Sequence, residues 1–444
     1  MGEAASGQEY GLVWAAPFAG LLLSVALGPL LAPGLWRRLY LAVAGFWTLA
    51  VLLPVAAVDG WEAGVQMALA ALIRDYLPFI APLGALFVVA GGIRLTGRLR
   101  GTPAVNTLLL LAGTAAASLI GTTGAALLVI RPLIRANRRR RHSRHVFVFC
   151  ILLVANVGGA LLPLGDPPML LGFLNGVPFF WPTGHLAGPT LLLGGVLLGA
   201  FYLLDRHHHR RAPDGDPAAL GEIGKLGLQG KRNLVLLPLV PLVVVLAGTA
   251  PPGRAVMLAG LAVARNQLVM VGLLLGVAAL SLRWTPPSIR RANEFTWAAM
   301  VEVAVLFAAI FVTIEPVLAM LRHGTGGALL AFLNPGGVPD GPLYFWGAGL
   351  LAAVLDNAPT YLLFFNAAGG DAAQLVQGRA ATLIAISAGA VYFGALTYIG
   401  NAPNFMIRTL AEENGIAMPG FFAYAGWAAG LMLPPLAVIA WIFL

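Results

Sequence analysis

Long apolar runs separated by short polar segments fill the sequence from about Leu12 to Leu444. About ten of these runs come near the roughly 20 residues that a helix needs to cross the hydrocarbon core of a bilayer. The first run, near Leu12 to Leu31, follows a leader that contains Glu3 and Glu9 but no lysine or arginine. That leader is unlike a signal peptide, so we predict a retained helix. The pattern predicts an all-α polytopic membrane protein.

The composition favours the same class and disfavours a soluble enzyme. Hydrophobic residues make up 59% and charged residues 10% of the 444 positions, whereas soluble domains carry about 25% charged residues. The net charge of +9 does not predict nucleic-acid binding, because the basic residues lie in short segments between apolar runs. Cys150 is the only cysteine, which excludes a disulfide within one chain. The predicted partner is the lipid bilayer.

The basic residues also predict an orientation. With the N-terminus outside, most of the 27 lysines and arginines fall on the cytoplasmic face, as the positive-inside rule requires. We therefore predict a multi-pass protein of the bacterial inner membrane with both termini in the periplasm. Arg265 is the exception, because it can lie inside a span, and the start of its helix stays open.

Two apolar stretches are interrupted in the middle by polar residues. Basic clusters flank both ends of the stretch from Pro103 to Ile130, so we predict that it returns to its own side as a re-entrant hairpin, hairpin 1. Two short crossing helices are the alternative. The stretch from Tyr344 to Ala367 contains Pro359, which favours two half-helices meeting at a polar tip, hairpin 2. The two tips read Gly121-Thr122-Thr123-Gly124 and Asp356-Asn357-Ala358-Pro359-Thr360.

An internal repeat divides the chain. Gly159–Pro168 aligns with Gly394–Pro403 at an offset of 235, with half of the positions identical, and the same offset aligns the two hairpin tips. We predict a first inverted repeat over residues 1–204, a cytoplasmic linker over 205–232 and a second inverted repeat over 233–444. Five crossings and one hairpin in each half reverse the orientation of the second half. Paired inverted repeats are typical of transporters that bind substrate near the bilayer midplane.

Each repeat also contains a glycine-rich, proline-bounded interruption within a span. Break 1 runs from Asn156 to Pro168 and break 2 from Gly394 to Pro403. Glycine permits unwound backbone, and a broken helix exposes carbonyl groups at one end and N–H groups at the other. We predict two broken helices that meet the two hairpin tips at a midplane site.

Two acids lie within these interruptions. Asp166 precedes Pro167-Pro168, which favours capping of the following half-helix, but an intramembrane carboxylate also predicts a proton or cation ligand. Its repeat mate, Asn401, can cap but cannot titrate. Asp356 at the second tip has the same two interpretations. One such carboxyl group can exchange a proton for a metal cation.

Two other polar features are less informative. Glu302 lies six residues into the span opened by Phe295 and Trp297, where a deeper acid or a pair within the scaffold are both possible. His207–His209 belong to the predicted linker and make a poor metal site on their own. No nucleotide-binding loop, metalloprotease motif or nucleophile elbow occurs in a fitting context, so we predict no enzymatic activity.

The motif segments resemble the signatures of the ion transporter superfamily, which includes NhaD-type sodium/proton antiporters, arsenite permeases, and citrate and dicarboxylate transporters. The similarity favours the bacterial branch of citrate transporters (CitMHS-like) and sodium:proton antiporters. The resemblance implies a scaffold domain and a transport domain that carries both hairpins, moves like an elevator and often forms a homodimer. Dicarboxylate transporters have Ser-Asn-Thr at each tip, and the different tips here disfavour an anionic substrate. The four segments are Asn156–Gly159, Gly165–Pro168, Asp356–Thr360 and Gly400–Asn404.

The sequence thus predicts a secondary active transporter, a cation/proton antiporter with Na⁺ as the cation. The alternative is a cation- or proton-coupled symporter of citrate or another carboxylate. We predict no cofactor beyond the coupling ions Na⁺ and H⁺, with Na⁺ bound at Asp356 and Asp166, and Glu302 as a possible second acid. The candidate substrate- and ion-binding residues are Thr122, Thr123, Asn156, Gly165, Asp166, Asp356, Asn357, Thr360, Thr397, Gly400, Asn401 and Asn404.

Overall fold

A computed structural model describes residues 11–97, 99–211, 227–250, 253–322 and 341–444. Helices account for nearly all of its regular structure, as the recurring apolar runs predict. The helices of the N-terminal half are α1 (Ala16–Leu31), α2 (Pro33–Asp59), α3 (Trp61–Ala70), α4 (Leu77–Ala90), α5 (Pro103–Ile120), α6 (Thr122–Asn137), α7 (Arg144–Leu153), α8 (Pro167–Leu174) and α9 (Trp181–Arg211).

The second half continues the pattern with shorter and more often interrupted helices. Its helices are α10 (Lys231–Leu236), α11 (Leu239–Thr249), α12 (Arg265–Trp284), α13 (Pro287–Ala292), α14 (Ala298–Thr313), α15 (Glu315–Arg322), α16 (Gly341–Val354), α17 (Asn357–Ala367), α18 (Ala372–Gly378), α19 (Ala380–Phe393), α20 (Ala402–Glu413) and α21 (Phe421–Phe443).

Two small antiparallel sheets accompany the helices. Strands β1 (Arg94–Thr96) and β2 (Gly227–Gln229) pair with each other, so the chain just before hairpin 1 is joined to the chain just before α10. Strands β3 (Ala255–Leu258) and β4 (Leu261–Ala264) form a hairpin directly before α12. The helix that contains Arg265 therefore begins at that residue, which fixes the helix start that the sequence left open.

The helix lengths confirm the predicted polytopic class. In the described part of the chain, eight helices are long and apolar enough to cross a membrane, and two bent helix pairs raise this number to ten. The gentler of the two bends lies between α14 and α15, at 41°, and the sharper lies between α18 and α19, at 109°. The all-α polytopic membrane fold is therefore what the sequence predicts.

Both interrupted stretches form pairs of packed helices. Helices α5 and α6 pack against each other and are joined at Gly121, whose φ of 77° suits a residue without a side chain. Helices α16 and α17 also pack together, and the chain turns at Leu355 and Asp356. Each turn contains fewer residues than the polar tip that the sequence predicts, because Thr122 and Asn357 already begin the second helix of each pair.

The two breaks also have matching architecture. After α7 the chain forms a short 3₁₀ turn at Val157–Gly159 and irregular backbone before α8, and after α19 it forms a 3₁₀ turn at Gly394–Leu396 before α20. Helices α6 and α17 begin 235 residues apart, and so do α8 and α20. The element order thus follows the sequence repeat, whereas the orientation of each half in the membrane stays a prediction.

The described helices pack in two groups, apart from α15, which contacts both α14 and α17. The outer bundle contains α1–α4 and α10–α14, with α4 packed along α12 and α2 between α1 and α14. The core bundle contains α5–α9 and α16–α21, and its most extensive contact is that of α16 with α19. Helix α4 contacts α6 and α8, so it is one of the places where the two bundles meet.

The predicted linker begins too early. Helix α9 is 31 residues long and continues to Arg211, so Asp205 and His207–His209 belong to its last turns. The reason is that Asp205 is fully buried and accepts a hydrogen bond from Asn106 in α5 at 3.0 Å. A polar residue that sequence composition assigns to a linker is here part of the core bundle. Residues 212–226 of the predicted linker lie outside the described residues.

Candidate functional site

The hairpin tips meet the breaks at the centre of the core bundle. The backbone N–H of Thr122, the first residue of α6, donates to the Gly165 carbonyl in break 1 at 2.8 Å. The first turns of α6, α8, α17 and α20 are brought together by side chains from Thr122, Asp166, Asn357 and Asn401, all of which are buried. The structure therefore brings together the two hairpin tips and the two breaks that the sequence predicts at one site.

Asp166 is the acceptor that joins these segments. Its Oδ1 accepts hydrogen bonds from Thr122 Oγ1 at 3.0 Å and from Asn401 Nδ2 at 3.0 Å, and its Oδ2 accepts from Asn357 Nδ2. The side chain is 1% exposed. Among the described residues, no lysine, arginine or histidine forms an ion pair with it. A buried carboxylate is thus held by neutral donors from both hairpins and from the opposite break.

The capping interpretation of Asp166 is wrong at the side-chain level. Asp166 occupies the N-cap position of α8 and its backbone carbonyl accepts from Met169 N–H at 3.0 Å, but its carboxylate makes no capping hydrogen bond. The carboxylate is turned toward Thr122, Asn357 and Asn401 instead. A local rule based on position before Pro167-Pro168 cannot anticipate donors from three distant segments.

Three asparagines complete the polar centre. Asn401 Nδ2 also approaches the Ala155 carbonyl at 3.0 Å and Asn156 Oδ1 at 3.3 Å, while Asn156 Nδ2 donates to Asn404 Oδ1 at 2.8 Å. Asn156 Nδ2 also bonds the Ile151 carbonyl near the end of α7. Side-chain amides thus satisfy carbonyl groups that the broken helices leave open.

Asn404 satisfies backbone carbonyl groups at break 2 in the same way. Its Nδ2 donates to the Gly394 carbonyl at 2.7 Å and to the Thr397 carbonyl at 2.9 Å. Asn156 and Asn404 are both fully buried. The hydrogen bond between their amides joins break 1 to break 2. Asn156 and Asn404 therefore have a structural role, whether or not they also contact an ion.

Asn357 contains the one side-chain acceptor of this centre that lacks a partner among the described residues. Its Nδ2 donates to Asp166, but its Oδ1 is buried and accepts no hydrogen bond. Buried polar atoms are normally satisfied, so an open acceptor next to a carboxylate indicates a place for a donor or a cation.

The other tip and break residues mainly shape the backbone. Thr360 Oγ1 donates to the Asp356 carbonyl at 2.9 Å, and Thr397 Oγ1 donates to the Ala353 carbonyl at 2.5 Å. Asp356 is half-buried and caps α17 by accepting from the Ala358 N–H at 3.1 Å. Thr123 is half-buried in the first turn of α6.

The structure does not bring Glu302 to this centre. Glu302 lies in α14 of the outer bundle, where its Oε1 accepts a hydrogen bond from Trp36 Nε1 in α2 at 2.7 Å. The scaffold pairing that the sequence left open is therefore the one observed. Glu302 is thus a half-buried acid that lies outside the polar centre.

Sequence reasoning missed Ser118 and the Ala155 carbonyl. Ser118 Oγ donates to the Gly158 carbonyl at 2.5 Å and accepts from the Leu161 N–H at 3.2 Å, so it fastens hairpin 1 to break 1. Ser118 is the only hydroxyl residue in the last four positions of α5, which could have identified it. Nothing in the sequence marks the Ala155 carbonyl, because every residue has one.

We expect Gly400→Ala to destabilise break 2. A Cβ at this position would lie 2.7 Å from the Gly394 carbonyl oxygen and 2.9 Å from the Ala352 carbonyl oxygen, and both contacts are to backbone. Such overpacking costs about 1–3 kcal/mol. A thermal unfolding scan of the purified protein should show a lower Tm. The matched control is Gly426→Ala in α21, where a Cβ meets nothing within 4 Å; equal Tm values would contradict the crowding.

Two hairpins and two broken helices around a buried polar centre, within a polytopic helical membrane protein, define a membrane transporter of the repeat type. The model of the CitMHS_2 family, described as "Putative citrate transport", matches residues 7–444. The chain belongs to this citrate transport family, which confirms the resemblance seen in the sequence motifs. No curated protein matches the chain.

Proposed function

We propose that this transporter exchanges a small monovalent cation, Na⁺, for protons at Asp166. The observation that carries the proposal is a fully buried carboxylate held only by the neutral donors of Thr122, Asn357 and Asn401. Hydrogen bonds from hydroxyl and amide groups reduce the cost of burying this charge but leave it uncompensated. A proton or a bound cation supplies the missing positive charge.

Competition between these two ions for one carboxylate is sufficient for exchange. Protonation neutralises Asp166, whereas a cation needs the ionised form, so each ion displaces the other. The Asn357 Oδ1 atom supplies a second oxygen ligand, and rotation of the Thr122 hydroxyl can turn its lone pairs toward a cation. The half-buried Asp356 beside Asn357 adds a second negative charge to the same end of hairpin 2.

The packing supports an elevator-like movement. Both hairpins, both breaks and every ligand named above belong to the core bundle, so the ion site can move as one body past the outer bundle. Rigid-body movement of one bundle against another gives alternating access in repeat transporters. We further propose that the outer bundle forms the contact between two protomers of a homodimer.

The decisive experiment measures proton movement in proteoliposomes that contain the purified protein. With an inside-acid pH gradient and a trapped pH-sensitive dye, external Na⁺ should raise the luminal pH without any organic solute. K⁺ and Li⁺ belong in parallel samples, because the ligand set does not fix ion size. The proposal is wrong if no monovalent cation moves protons.

Symport of citrate or another carboxylate is the second candidate. The family description favours it, and so do the first turns of α6, α8, α17 and α20, whose positive dipole ends converge on the site. In this case labelled citrate should accumulate under an inward Na⁺ or proton gradient. The same vesicles should show no pH response to Na⁺ until citrate is supplied.

Asp356→Asn tests the second acid. Asparagine caps helices about as well as aspartate, so α17 should keep its first turn and the protein its Tm. We expect Na⁺-driven proton release to be lost, because the substitution removes one of the two negative charges near the site. Wild-type exchange by a folded Asp356→Asn protein would remove this residue from the ion site.

Single-cysteine labelling tests the inverted topology and the inner-membrane orientation. The buried Cys150 is first replaced by alanine, and cysteines are then placed at two exposed positions, Arg141 and Ala373. An impermeant thiol reagent added to intact cells should label Ala373→Cys but not Arg141→Cys, which should react only after permeabilisation. Labelling of both positions from outside would exclude hairpin 1 as a re-entrant element.

A further inference from the structure

A polar contact joins hairpin 1 to the outer bundle away from the ion site. Arg131, in the second half of α6, donates from Nη1 to the Ala292 carbonyl at 2.8 Å and from Nη2 to Glu294 Oε2 at 3.2 Å. The Arg131 side chain is 16% exposed and that of Glu294 is 69% exposed. One partner belongs to the core bundle and the other to the segment between α13 and α14.

The backbone of Glu294 is strained. Its φ is 45°, in the left-handed region that favours glycine. The N–H of Glu294 bonds the Arg291 carbonyl and the N–H of Phe295 bonds the Arg290 carbonyl, which closes α13 with a Schellman motif. Glycine would occupy this position without strain. Glutamate is found there instead, and its carboxylate accepts the hydrogen bond from Arg131. This contact is a physical reason for a strained non-glycine residue at the position.

The segment that presents Glu294 is fixed to the outer bundle. Asn293 Nδ2 donates to the Gly91 carbonyl at 2.9 Å and to the Ile93 carbonyl at 2.8 Å, both at the end of α4. Arg290 Nη1 donates to the Val88 carbonyl at 3.1 Å. The acceptor for Arg131 therefore stays with the outer bundle when hairpin 1 moves.

A cleft of about 120 Å³ lies beside this pair, between the two bundles. Its walls come from α4 and the start of α14 on one side and from α6 and α20 on the other. Helices α6 and α20 are the ones whose first turns supply Thr122 and Asn401 to the ion site. Arg131 is nine residues along α6 from Thr122, about 14 Å at the helical rise per residue. The lining includes Phe87, Leu127, Arg131, Glu294, Phe295 and Met406.

We propose that this cleft is part of the access path to the ion site, and that the Arg131–Glu294 pair is its gate, closed in the present conformation. The inference rests on the proposed function in two respects, namely that the ion site is at Asp166 and that hairpin 1 moves relative to the outer bundle. A half-exposed ion pair suits a gate, because solvent screens it and each opening costs little. The backbone contact to Ala292 gives the closed position a defined geometry.

Crosslinking tests whether the contact must open. In a Cys150→Ala background, Arg131→Cys and Glu294→Cys are joined by a short, reducible thiol crosslinker. Transport should stop on crosslinking and return on reduction. The control pair is Arg94→Cys with Gln229→Cys, on strands that are already paired, and its crosslinking should leave transport unchanged. Undiminished transport by the crosslinked Arg131–Glu294 pair overturns the proposal.

Glu294→Gly separates gating from a structural role. Glycine relieves the strain at this φ, so Tm should rise or stay equal, while the lost carboxylate should change the initial transport rate by about fivefold. The double variant with Arg131→Glu and Glu294→Arg restores an ion pair of opposite orientation. Its initial transport rate should be closer to the wild-type rate than that of either single variant. A wild-type rate in Glu294→Gly overturns the gate.

The outcome does not depend on which substrate moves. If Na⁺ fails to move protons but citrate accumulates, the proposed Na⁺/proton exchange is wrong. The crosslinking experiment is then performed with citrate uptake as the measured quantity. If Na⁺ moves protons and crosslinking has no effect, the exchange stands and the gate is wrong. The two failures therefore give different results.

Discussion

Asp166→Asn should reduce Na⁺-driven proton exchange by at least about 100-fold, the loss expected when a site loses its one fully buried charge. Asparagine has almost the same shape and keeps one acceptor oxygen for Thr122 or Asn401. The protein should therefore fold, while the group that alternates between a proton and a cation is gone. The measurement is the initial rate of luminal alkalinisation in proteoliposomes at matched protein density.

Glu302→Gln is the matched control, because it also converts a carboxylate to an amide, in this case a half-buried one. Its Oε1 can still accept the hydrogen bond from Trp36, and it lies in the outer bundle. Exchange and Tm should both stay close to wild type. If Asp166→Asn exchanged ions as fast as Glu302→Gln, the carboxylate at the centre of the core bundle would have no part in coupling.

Asp205→Ala should produce the largest loss of stability. Asp205 is fully buried, and its Oδ1 lies 2.6 Å from Arg140 Nη1 and 2.7 Å from His145 Nε2. Removing one member of a buried ion pair leaves the other charge uncompensated and costs about 3–5 kcal/mol. The Arg140 side chain is only 4% exposed, so little solvent can replace the carboxylate. We expect a fall in Tm and in the yield of monodisperse protein.

Asp371→Ala is the control for this loss. Asp371 is exposed and caps α18 through the N–H groups of Ala373 and Gln374, a contact worth about 1 kcal/mol. Its Tm should fall less than that of Asp205→Ala. Adding Arg140→Met to Asp205→Ala should recover part of the loss, because the uncompensated Arg140 charge is then removed. Similar Tm values for the two aspartate variants would contradict the buried pair.

Much of the fold could be predicted because the bilayer simplifies the sequence pattern. Apolar runs of sufficient length give spans, and Gly121 and Asp356 mark the places where a helix pair turns. The offset of 235 in the sequence repeat aligns Thr122 with Asn357, the residues at which α6 and α17 begin. The small strands β1–β4 were not predicted, because three- and four-residue strands leave no periodicity to detect.

Side-chain partners were less predictable than backbone breaks. Asp166 was identified as an acid within a break, but its donors Thr122 and Asn401 come from 44 residues before and 235 residues after it. Local capping rules had no access to these contacts. The same reason applies to Asp205, which the sequence places in a linker, since its partners Arg140 and His145 lie 65 and 60 residues earlier in the chain.

The contact between Asp166 and Asn401 bears on how the two halves diverged. They occupy equivalent positions, and Asn401 Nδ2 lies 3.0 Å from Asp166 Oδ1. Duplication of a single half would have given both positions the same residue. Two aspartates at this distance could not both ionise, and two asparagines would carry no charge. A site with one titrating group and one permanent donor could arise only after the two copies had become different in sequence.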